Sequence, residues 1–126
     1  MVWEGIEKRR FVRANYPCII VVFTPQEHSI STHTENIGAG GVRVIIEEKL
    51  EVNAMVGLEI FLYKEIQPIA CKGKIVWVVE KESLYRKNLI FFDIGIEFHD
   101  IKDEDKLTIK NLVEAIVAGK NDPGKD

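Results

Sequence analysis

The sequence predicts an all-β domain in which six antiparallel strands close into a barrel, followed by one C-terminal α-helix. Three observations predict it. The apolar segments are short, rich in Val, Ile and Phe, and separated by turn residues, the pattern of strands rather than helices. Six such strands are too many for one flat two-faced sheet in a chain of 126 residues, and closure removes exposed edges. Apolar residues at helical spacing occur only near the C-terminus.

The first strand is expected over Cys18–Phe23, closed by Pro25 and the polar stretch to Ser29, with Ile30–Thr34 as its antiparallel partner. Val42–Ile46 follows a glycine turn as the third strand and Gly57–Tyr63 is the fourth. Ile69–Val79 is the fifth, long enough to bend across a barrel corner near Gly73, and Leu89–Phe98 is the sixth. Asp103 is placed to cap the helix, and Asp103, Glu104 and Asp105 put negative charge at its positive end. Leu112, Val113, Ile116 and Val117 form one apolar stripe, read as a packing face, and Gly119 reads as the stop. The expected organisation is a flexible arm over 1–16, the barrel and helix over 17–120, and a disordered tail over 121–126.

Composition narrows the function. The formal charge of -3 and pI near 5.7 argue against a general binder of nucleic-acid polymers or membrane surfaces, which carries net positive charge. Cys18 and Cys71 lack metal-ligand spacing and read as thiols in a reducing compartment. Met1 to Glu7 holds no apolar stretch of signal-peptide length, and the longest apolar run, Cys18–Phe23, is far shorter than the ~20 residues that span a bilayer. A cytoplasmic protein without membrane insertion is expected.

Positive charge is concentrated locally, in Lys8-Arg9-Arg10-Phe11-Val12-Arg13. Arginine presents a rigid fork of donors that matches phosphate oxygens and the O6/N7 edge of guanine. The bland alternative is a solvated basic face balanced by Glu4 and Glu7. About two dozen residues later comes Asn36-Ile37-Gly38-Ala39-Gly40-Gly41. Its glycines permit positive φ and close approach of a flat ligand to the main chain, and Asn36 offers both a donor and an acceptor to a purine edge. A tight turn and nothing more is the plain alternative, whereas a dinucleotide phosphate loop is disfavoured because the β-branched Val42–Ile46 follows where a helix should.

Together these segments resemble the two signature motifs of the PilZ domain family. Its Arg-Arg-x-x-Arg or Arg-x-x-x-Arg motif is matched by Arg9, Arg10 and Arg13, and its Asp/Asn-x-Ser-x-x-Gly motif by Asn36 and Gly41. Gly38 stands where the family has serine. Gly73-Lys74-Ile75-Val76-Trp77 and Ile94-Gly95-Ile96-Glu97-Phe98 also look like the family's strands. The resemblance implies a PilZ-like split barrel that binds cyclic di-GMP, with Arg9, Arg10 and Arg13 on guanine edges and phosphates and with Asn36, Gly38 and Gly41 meeting a base from the barrel side. It implies a ligand rather than a cofactor, an arm that closes on binding, and an unidentified protein partner in motility, biofilm or surface-appendage control, the chain acting as monomer or homodimer. The alternative is a PilZ-like adaptor that no longer binds the dinucleotide.

No enzyme is expected. His28, His33 and His99 are scattered without metal spacing, and Ser29 and Ser31 lack a nucleophile's context, so neither a catalytic nor a metal site is assigned. Trp77 reads most simply as a core aromatic, the alternative being a partly exposed indole near the ligand that stacks on a guanine. Phe11 and Tyr16 are expected to pack on the barrel rather than to stack on single-stranded nucleic acid.

Overall fold

The computed structural model describes residues 12–63, 67–85 and 88–120. Its elements are β1 (Arg13–Ala14), β2 (Ile19–Phe23), β3 (Ser29–Gly38), β4 (Gly41–Ile46), β5 (Met55–Phe61), β6 (Ile69–Glu82), β7 (Ile90–His99) and one helix, α1 (Asp103–Lys120). Antiparallel pairing runs β3-β2-β5-β6-β7-β4 and closes where β4 pairs back with β3. This is the expected six-stranded barrel with a C-terminal helix.

Alternation fills the barrel. Ile20 and Val22 of β2, Val42 and Val44 of β4, Leu58 and Ile60 of β5, and Ile94 and Ile96 of β7 all point inward and are buried. Burying each such side chain contributes about 1.5 to 3 kcal/mol, which is the main force for closure. Asp103, Glu104 and Asp105 occupy the first turn of α1 as expected, but Asp103 is its first residue rather than its cap, because the Lys106 N–H already bonds to the Lys102 carbonyl. Val113 is buried and Leu112, Ile116 and Val117 are partly buried against the core, joined by Ile109, which the predicted stripe omitted. The helix sits on β1 and β3. Gly119 lies inside its last turn rather than ending it.

Several expectations are corrected. The arm's final residues belong to the sheet: Arg13 and Ala14 pair with Gly38 and Ile37, Ala14 is buried, and the Tyr16 hydroxyl donates to the Leu62 carbonyl. β3 runs through Asn36 to Gly38, so the turn shrinks to Ala39 and Gly40 between the paired Gly38 and Gly41. None of the described glycines has positive φ. β6 extends to Glu82, and its register with β7 slips at Val76, between Ile75 and Trp77. Trp77 is therefore on the outer face and 39% exposed, not in the core. Both cysteines are free thiols, and burial followed by the nearby Asp105 charge pushes Cys71 up to about 11.

Candidate functional site

Two β-bulges prepare one patch of the outer wall. An extra residue in a strand reverses which side chains face out beyond it. At Glu35 the bulge brings Asn36 opposite Arg43, and at Val76 it brings Trp77 opposite Gly95. Arg43 in turn pairs with Gly95. Adjacent strands thus carry Asn36, Arg43, Gly95 and Trp77 in one row across β3, β4, β7 and β6. The indole covers Gly95, where an added Cβ would collide with its Nε1.

The row borders an open hollow of about 430 Å³ lined by Arg13, Asn36, Gly41, Arg43, Trp77 and Glu97 among others. Arg13 reaches it from β1 and donates from Nε and Nη2 to Asn36 Oδ1, at 2.8 and 2.6 Å. Desolvation, then the charge of Arg43, holds the Arg13 guanidinium below its ordinary pKa. Arg43 donates to both carboxylate oxygens of Asp93, at 2.8 and 2.7 Å, and Lys81 lies 3.0 Å from the same carboxylate.

The hydrogen bond from Arg43 is the main force holding the Asp93 carboxyl below its usual 3.8, with burial opposing and Lys81 assisting. A depressed folded-state pKa stabilises the fold above the unfolded value, and this contribution is lost as pH falls through the folded value. The contribution of Asp93 is therefore complete at neutral pH and disappears below about pH 4. Melting curves between neutral and acid pH should show a shallower acid limb for Asp93→Asn than for the parent. Parallel limbs would remove Asp93 from the acid transition.

Of the residues singled out in the sequence, Arg13, Asn36 and Gly41 come together at the hollow. Gly38 is buried beneath β1 instead: an added Cβ would stand 2.7 Å from the Val12 carbonyl oxygen and 3.1 Å from Arg13 Cγ. Arg9 and Arg10 lie outside the described residues. Arg43 was missed although its signal was present, because in Gly41-Val42-Arg43-Val44 the apolar residues alternate and leave Arg43 on the same face as Asn36. Trp77 was misassigned because a bulge is invisible to a period of two. Among the described residues no group of three or more His, Cys, Asp or Glu could hold a metal ion, and no helix is long and apolar enough to cross a membrane.

Residues 7–115 match the PilZ domain family. The chain belongs to that family. PilZ domain proteins are cyclic di-GMP receptors and adaptors, not enzymes. No curated protein matches the chain by sequence. Among solved structures, the PilZ domain resembles the inhibitor of motility MotI/DgrA of Bacillus subtilis at 17% identity and a TM-score of 0.75, over 90% of this chain and 53% of that one. It resembles the PilZ domain of YcgR from Escherichia coli, solved with c-di-GMP, at 11% identity and a TM-score of 0.69, over 88% and 92%. MrkH of K. pneumonia aligns at 12% identity and a TM-score of 0.72, over 88% and 49%. The chain thus spans about half the length of MotI/DgrA and of MrkH, and at these identities the likeness concerns the fold.

The glycine at the family's serine position has a steric meaning here. It lets β1 lie flat on β3, with Arg13 on Asn36. Gly38→Ser should push β1 off β3 and break that hydrogen bond, since the obstacle is a backbone oxygen. We expect faster hydrogen exchange at the Arg13 and Ala14 amides in the serine variant, measured by exchange against the parent. Unchanged exchange would contradict the steric account.

Proposed function

We propose that this PilZ domain is a cyclic di-GMP receptor that holds the dinucleotide on the outer wall of the barrel and signals the bound state to a partner protein. The observation carrying this reading is the meeting of both motifs: Arg13 and Asn36 touch at 2.6 Å beside a hollow that Gly41 also lines. Arg9 and Arg10, in the segment leading into β1, supply further guanidiniums to guanine edges and phosphates. Asn36 turns its amide to a base, and the exposed face of Trp77 offers a stacking surface for a guanine. Gly38 acts indirectly, by letting β1 lie against β3.

Binding requires Arg13 to exchange Asn36 for ligand, so the segment before β1 is redrawn over the barrel, and that altered surface is what a partner reads. Motility, biofilm or surface-appendage control is the process this reading favours, in keeping with the neighbouring motility inhibitor and with MrkH, a c-di-GMP-dependent transcription regulatory factor. The partner is a protein, the location cytoplasmic, and the domain works as a monomer or homodimer without contacting nucleic-acid polymers, in line with its net charge of -3.

One observation favours a second reading, an adaptor that does not bind the dinucleotide. Gly38 replaces the motif serine, and Arg13 and Asn36 satisfy each other. Calorimetric titration with cyclic di-GMP, using cyclic di-AMP as the control, separates the two. Saturable heat with the guanine ligand alone supports the receptor, because adenine lacks the O6 acceptor. No heat and no thermal shift with either ligand would overturn it in favour of the adaptor.

A further inference from the structure

We propose that Arg43 is a second, fixed anion-binding residue of this site, positioned by Asp93 and Lys81 so that a phosphodiester oxygen of the cyclic dinucleotide sits between the Arg43 and Arg13 guanidiniums. The inference rests on the receptor reading above. Neither signature motif contains Arg43.

The geometry separates Arg43 from an ordinary structural ion pair. Its Nε and Nη2 are committed to Asp93 in a two-pronged contact, which fixes the plane of the guanidinium and leaves the Nη1 edge with no protein acceptor among the described residues. Its side chain remains 34% exposed, while that of Asp93 is only 6% exposed. The neighbours in register are Gly95, which has no side chain, and Asn36, whose carbonyl oxygen is drawn toward Arg13. Space beside the free edge is therefore open to the hollow.

Charge points the same way. Asp93 faces two cations, Arg43 and Lys81, so this trio carries a net positive charge rather than none. Arg13 adds another, and its hydrogen-bond partner among the described residues is the neutral Asn36. Glu97, which also lines the hollow, is engaged by His99 at 3.1 Å. Glu35 acts on Arg43 only as a more distant charge. Two guanidiniums lining one hollow, whose carboxylate Glu97 contacts His99, suit an anion with several acceptor oxygens. A fixed cation also avoids the entropy lost when a free side chain is ordered on binding.

The test is the exchange Arg43→Lys. A lysine retains the charge pair with Asp93, but a single ammonium cannot span Asp93 and a ligand phosphate as a planar fork does. We expect an unchanged melting temperature, roughly tenfold or greater weakening of cyclic di-GMP binding by calorimetry, and a displaced ³¹P resonance of the bound dinucleotide. A purely structural arginine would leave the phosphorus signal and the affinity at parental values, and that result would overturn the inference while the receptor reading stands. If the parent itself gives no binding heat, both fail together. Should Arg43→Lys melt lower than the parent, Arg43→Gln/Asp93→Asn, which substitutes a neutral amide pair, carries the comparison: tenfold weakening supports the role and parental affinity removes it.

Discussion

Exchanging both Arg9 and Arg13 for alanine is expected to weaken cyclic di-GMP binding by at least about a hundredfold, with the melting temperature within a few degrees of the parent. A hydrogen bond to a charged group contributes roughly 1.5 to 3 kcal/mol, so two such contacts together correspond to about two or more decades in affinity. The stability cost is small because the Arg13 contact with Asn36 is exposed and the pairing of β1 with β3 uses backbone atoms. Calorimetry and melting curves on the two proteins decide it. Parental affinity in the double variant would remove the arginines from the site, and a collapsed melting transition would show that they hold the fold instead.

Gly41→Ala is expected to be the most destabilising single exchange at the site, lowering the melting temperature by roughly 10 °C. Gly41 is buried where β4 crosses close to β7, paired with Glu97. An added methyl group would collide with the Ile96 carbonyl oxygen and come within 3.2 Å of Glu97 Cα. Both obstacles are backbone, and β7 is held between β4 and β6, so neither yields by a side-chain rotation. The adjoining turn is fastened as well, by the bond from Phe98 N–H to the Gly40 carbonyl at 2.9 Å. The motif glycine is thus first a requirement of barrel closure. An alanine variant that melted with the parent would show that the two strands separate at little cost.

How far the sequence discloses this molecule follows from what each element depends on. Strands β2, β4 and β5 were legible because alternating Val, Ile and Leu specify both an extended backbone and a buried face. The acidic first turn of α1 was legible for a similarly local reason. β1 was not: Arg13-Ala14 is too short for any periodicity, and its pairing depends on the backbone of β3 and on the missing side chain of Gly38. The glycines were noticed for the wrong cause. Their φ values are ordinary, and it is crowding by Val12 and Ile96, distant in the chain, that excludes a Cβ at Gly38 and Gly41. Within the site, Arg13, Asn36 and Gly41 were read from their motifs, whereas Trp77 depended on a slipped register that residue types do not encode.

Arg13 sits on a piece of backbone that touches β3 on one side and α1 on the other. Because the helix rests on both β1 and β3, any displacement of β1 would also loosen the seat of the helix.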